Sequence, residues 1–132
     1  MKYADALRLR LEIEQRKDQT QTGPAEQAKN LNWIAFLAVC AGDLEEAERA
    51  AKKCLEVYRI ASSEKNEKYA TYVMMLAMVL AESGKFDEAI AHGEEAVALF
   101  SQLHDEGDSF VEFRKHDIQR MRAKELPPYL ER

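Results

Sequence analysis

Apolar residues recur along this chain at helical spacing, in runs broken by short polar links. In residues 2–17, Ala6, Leu9 and Ile13 share one side of a helix, and Ala4, Leu7 and Leu11 lie on a neighbouring side. At ~100° per residue the apolar arc covers roughly 220°, more than one neighbouring helix can cover. Residues 24–41 carry Leu31, Ile34, Ala35, Ala38 and Val39 at the same spacing, with Pro24 at the first helical position. Residues 44–61 follow with Ala47, Ala51, Cys54, Leu55 and Tyr58, then 67–82, very apolar from Val73 to Leu80. Residues 86–103 carry Ala89, Ile90, Ala96, Val97 and Phe100, and a last, more polar helix is expected over 110–125, stopped by Pro127 and Pro128. Turns are expected near 20–24, 42–43, 62–66, 84–85 and 104–108. No segment alternates as a strand would, so the pattern predicts an all-α chain of about six helices.

The helices repeat. With a shift of 42 residues Leu31 falls on Val73, Ile34 on Leu76, Ala35 on Ala77, Gly42 on Gly84, Ala47 on Ala89 and Cys54 on Ala96. A partial third copy aligns Lys2–Leu7 with Lys85–Ile90, and Ile118 lies 42 residues after Leu76. Such a period made of two helices predicts stacked helical hairpins. Gly42 and Gly84 are placed to end one helix of each hairpin with φ > 0 and let the next turn back. Asp43 with Glu46, and Ser109 with Glu112, read as capping boxes. The small residues Ala35, Ala47, Ala51, Ala77 and Ala89 stand where antiparallel helices come closest, whereas a plain bundle needs no small residues in matched register.

These motifs resemble the tetratricopeptide repeat family. Leu31-x2-Ile34-Ala35-x2-Ala38 followed by Gly42, Ala47, Ala51 and Cys54 is similar to one repeat. Val73-x2-Leu76-Ala77-x2-Leu80 followed by Gly84, Ala89, Gly93 and Ala96 is similar to the next. The usual period is about 34 residues; the longer one here is similar to the repeats of kinesin light chains and their bacterial relatives, which Thr71–Ala77 echoes. The resemblance implies a right-handed superhelix of antiparallel hairpins in a single domain over 1–132. That domain has a partial repeat over 1–41, repeats at about 24–61 and 66–103, a polar capping helix at 109–125 and a tail at 126–132. It also implies a concave groove lined by the first helix of each hairpin, which projects onto Lys29, Asn32 and Phe36, onto Met74 and Met78, and onto His116 and Arg120. Asn32 stands where related repeats carry a groove asparagine, whose amide can pair with a peptide backbone. Met74 and Met78 read equally as an adaptable groove floor or as core. Trp33 reads as packed between hairpins rather than as a ligand anchor, and Cys54 as an inert buried thiol.

Composition and charge narrow the function. Residues 1–42 carry six basic and five acidic groups, 43–108 seven and fifteen, and 109–132 six and four, within a net charge of −5. An acidic middle disfavours nucleic acid, which needs a basic stripe; only Arg114, Lys115, Arg120, Arg122 and Lys124 favour it. No apolar run reaches the ~18–20 residues of a membrane span, and Met1–Asp5 does not open a signal peptide. Two cysteines without export features point to the cytoplasm. His92, His104 and His116 are spaced by 12 residues; that is ~3.3 helical turns, which gives no common face for a metal. Ser83-Gly84-Lys85 lacks the earlier glycine and the strand of a phosphate loop, and no catalytic motif is present.

The expected function is therefore a non-catalytic protein-interaction module, a scaffold or adaptor without cofactors, that holds a peptide or helix of a partner protein. The alternative is a self-assembling subunit or the regulatory arm of a larger system. The wide apolar arc on the first helix predicts that another surface covers Leu7 and Leu11, most simply the same helix of a second copy in a homodimer.

Overall fold

A computed structural model describes residues 2–19 and 23–126, with side chains at 3–15 and 23–126. Six α-helices and no strand occur among the described residues: α1 (Lys2–Gln19), α2 (Pro24–Ala41), α3 (Leu44–Ala61), α4 (Glu67–Glu82), α5 (Phe86–Leu103) and α6 (Ser109–Arg122). Residues up to Ser63 form one compact unit, and the described residues from Glu64 onward a second.

In the first unit α2 packs on α3 and α1 on α2. Pro24 opens α2, and Gly42 closes it with φ 82°. The Gly42 N–H donates to Val39 O and the Asp43 N–H to Ala38 O, so a left-handed glycine satisfies the last carbonyls and reverses the chain. Asp43 then caps α3 by accepting from the Glu46 N–H at 3.2 Å. The capping box expected here is only half formed. The Asp43 N–H is already used in the turn, so the Glu46 carboxylate pairs with Arg49 instead. Ala35, Ala47, Ala50 and Ala51 are fully buried, which lets α2 and α3 approach closely. Glu14 of α1 reaches α3, 3.3 Å from both Arg49 and Lys53. The Cys54 thiol donates to Ala28 O across the hairpin.

The second unit repeats the device. Gly84, with φ 80°, donates to Ala81 O while Lys85 N–H donates to Leu80 O, and α5 packs back on α4. Ala77, Ala89 and Ala96 are fully buried. Asn66, at the end of the polar link, caps α4 by accepting from the Tyr69 N–H at 3.0 Å. α6 packs on α5. Its cap is Asp108, not the expected Ser109: the Asp108 carboxylate accepts from the Phe110 and Val111 N–H groups, and Ser109 is already helical. α6 also ends at Arg122 rather than 125. Lys124 adopts φ 58° and closes the same kind of turn, with Lys124 N–H on Met121 O and Glu125 N–H on Arg120 O. The helix therefore stops before the prolines, which, like the turn residues 20–22, lie outside the described residues.

Candidate partner-binding surface

In the first unit, Lys29, Asn32 and Phe36 recur at i, i+3 and i+7 along α2, which puts them on one face. Lys29 is exposed and Phe36 half-buried. Asn32 is half-buried, and its Oδ1 is buried without a hydrogen-bond donor among the described residues. Trp33 is 44% exposed, which corrects the expectation that it packs between hairpins. Two neighbours meet its indole: Phe36 stands edge-on with ring centroids 6.2 Å apart, and the Arg10 guanidinium of α1 lies 5.3 Å from the ring centroid.

Arg10 is held in place from below. Asn30, 2% exposed, donates from Nδ2 to Arg10 O at 3.2 Å and accepts from Arg10 Nη1 at 3.3 Å. A buried amide that returns two hydrogen bonds to one arginine fixes both the helix and the guanidinium. Sequence reasoning missed Asn30. The signal was available, because a polar residue directly before the apolar run of α2 is costly to bury unless paired.

In the second unit Met74 and Met78 are 2% and 7% exposed, so they belong to the core and not to an open groove floor. α6 is the reason at Met78. Arg114 lies along α4 and donates from Nη1 to Met78 Sδ at 3.7 Å. The same guanidinium is flanked by Phe110 and Phe113, at 5.3 and 5.4 Å from the ring centroids. His116 is exposed on α6, and Arg120 is half-buried. Arg120 is engaged: its Nη1 lies 3.3 Å from Asp117, which also pairs with Arg114 at 3.0 Å. Asp117 is fully buried. Arginines three residues on either side of it supply the compensation a buried carboxylate needs. That spacing was legible in the sequence and was not used. Between α5 and α6 a cavity of about 380 Å³ opens, lined by Glu94, Val97, Ala98, Lys115, Ile118 and Gln119.

On α1 the chain itself covers Leu7, which is buried, and half covers Leu11. The reasoning that both need an outside surface is corrected for Leu7, because α2 packs along that side of α1. Among the described side chains of α1, Leu9 is the large apolar one left exposed, at 55%.

Left-handed glycine turns, fully buried alanines at the hairpin contacts and matching helix pairs accompany a match of the tetratricopeptide repeat family to residues 26–102. The chain belongs to the tetratricopeptide repeat family. No curated protein matches it. Tetratricopeptide repeats generally mediate protein–protein interaction and are generally non-catalytic. Among the described residues no helix is long and apolar enough to cross a membrane.

Proposed function

We propose that this chain is a non-catalytic adaptor that holds a peptide or helix of a partner protein on the α2 face of its first unit. One observation carries the reading: Asn32 Oδ1 is buried without a donor among the described residues, on the same stripe as Lys29 and Phe36 and next in sequence to the exposed Trp33. A buried acceptor left unpaired costs ~1–3 kcal/mol, and because the Asn32 side chain is only half-buried, a turn that brings Oδ1 to the backbone N–H of a bound segment removes that cost. Phe36 and Trp33 supply apolar area beside it, and Lys29 an exposed cation. Of the expected set on the second unit, His116 is exposed, whereas Arg120 is half-buried and paired with Asp117. The reading includes a single domain over 1–132 of the long, 42-residue repeat form, and a cytoplasmic setting without nucleic acid or cofactors.

The test is selection of peptides from a random library displayed on phage, followed by titration of the best binders. Phe36→Glu and Asn32→Leu should each weaken binding by ~10-fold or more while the helical circular dichroism is kept. Retained binding in both variants would overturn the assignment of this face.

A second reading, a homodimer through α1, is favoured by Leu9. It is exposed on the same side of α1 as the half-buried Ala6 and Ile13. Light scattering across dilution tests it. Leu9→Glu should leave only monomer, and a wild-type monomer at high concentration would remove the reading.

A further inference from the structure

The link between α5 and α6 gathers charged groups from three elements of the second unit. His104 is the C-cap of α5, with its N–H on Phe100 O at 2.9 Å. Its Nε2 meets Oε1 of Glu67, the first residue of α4. Its Nδ1 lies 3.5 Å from Oδ2 of Asp108, the N-cap of α6. The imidazole is stacked on Phe110, with centroids 5.6 Å apart and planes at 27°, and Phe110 stands edge-on to the buried Phe100 at 4.9 Å.

A neutral imidazole carries one N–H and can donate to one carboxylate only, whereas an imidazolium donates from both nitrogens. Neither Glu67 nor Asp108 can be the donor while ionised. The geometry therefore suits the charged ring, and a neutral ring would set a lone pair against one carboxylate. We propose that His104 is a pH-sensitive latch. Its imidazolium ties the start of α4 to the cap of α6, and loss of its proton releases one carboxylate and loosens α6 from the α4–α5 hairpin.

The surrounding charges favour the proton. Glu67 faces the ring from α4 and Asp108 from the α6 cap, and the exposed Asp105 and Glu106 lie in the same link. A cation also borders the cluster: the Arg114 guanidinium lies 5.3 Å from the ring centroid of Phe110. The hydrogen bond to Glu67 above all, and then the Glu67 and Asp108 charges, raise the His104 pKa above its ordinary 6.5. A raised value means that the contribution is fully present below 6.5 and fades as pH rises through the higher folded value. The latch thus opens as pH rises through that folded value, above 6.5.

The histidine ring protons of the whole protein report the titration by NMR, and with three histidines His104→Gln assigns the resonance. His104 should titrate above 6.5, and Glu67→Gln should lower its midpoint. Amide exchange along α6, corrected for intrinsic rates, should quicken several-fold from about pH 6 to about pH 8.5 in the wild type and stay level in His104→Gln. Asp108→Asn tests the second arm. Because it also alters a helix cap, Glu67→Gln is the variant that keeps the latch testable without touching α6. A His104 midpoint at or below the ordinary value, or an equal pH response of α6 in His104→Gln, would overturn the proposal.

Discussion

Ile118 of α6 rests where a side chain on Gly93 of α5 would go: a Cβ added at Gly93 would lie 2.2 Å from Ile118 Cδ1. The glycine here has an ordinary helical φ and is needed for space. Gly93→Ala gains ~1 kcal/mol of helix propensity but forces a displacement of Ile118 that costs ~1–3 kcal/mol. The net effect is a loss of ~0–2 kcal/mol, felt at the α5–α6 contact. Ile118→Val removes Cδ1 at a cost of ~0.5–1.5 kcal/mol. The double variant should be at least ~1 kcal/mol more stable than the sum of the two changes predicts, because the clash is gone. Denaturant titration of the four proteins checks this, and simple additivity would mean that the two residues do not meet.

The same imagined Cβ lies 3.8 Å from Ala77 Cβ on α4, so α4, α5 and α6 converge there. Ala77 is fully buried. Ala77→Arg places an unpaired charge at that convergence and should cost at least ~3 kcal/mol or prevent folding. A thermal melt close to the wild type would refute the register in which Ala77 faces the hairpin contact.

The hairpins were readable because each depends on local chemistry with a fixed spacing. A glycine at 42 or 84, small residues after it and apolar residues at i, i+3 and i+4 leave few other folds. The Met74 and Met78 positions were not decidable that way. A groove floor and a core share one apolar pattern, and burial in the folded chain separates them: Met74 and Met78 are both buried, and Arg114 Nη1 meets the Met78 sulfur. Ser109 and Asp108 are adjacent cap formers, and a one-residue choice between them lies within the ordinary uncertainty of helix ends. Trp33 was misplaced because its cover on one side comes from Arg10, some twenty residues away in sequence, and that meeting depends on how α1 packs on α2.

Asn30 makes that last contact testable. Asn30→Leu removes both hydrogen bonds to Arg10 and should cost ~1–3 kcal/mol. It should also free the guanidinium from the indole. The protein has one tryptophan, so its emission reports Trp33 alone. Asn30→Leu and Arg10→Met should shift the emission in the same direction. An unchanged spectrum in both would show that Arg10 does not rest on Trp33 in solution.

Acid should act first on α6. Backbone N–H groups of Val111 and Phe110, with the former the larger cause, hold the Asp108 pKa below its ordinary 3.8. A depressed carboxylate contributes stability that is present above its unfolded value and is lost as pH falls through its folded value. Protection of the first α6 amides against hydrogen exchange should therefore fall below about pH 4 while those of α2 persist. In Asp108→Asn, whose amide oxygen can still cap but does not titrate there, that acid step should vanish. Persistence of the step in the asparagine variant would assign it to another group.

The two thiols should differ sharply in reactivity. Cys54 is buried against the α2 backbone, and burial pushes its pKa up to about 12. At pH ~8 only ~1 in 10⁴ of such thiols is ionised in the native state, against roughly a quarter of an ordinary thiol. Cys40 is half-buried near the end of α2. Iodoacetamide at that pH should therefore modify one thiol of the native protein, and Cys40→Ser should abolish the reaction. Modification of Cys54 should proceed only through opening of the first unit, so its rate should climb with denaturant in step with loss of helical signal. Labelling of Cys54 as fast as Cys40 in the native protein would mean that α2 and α3 do not close over it.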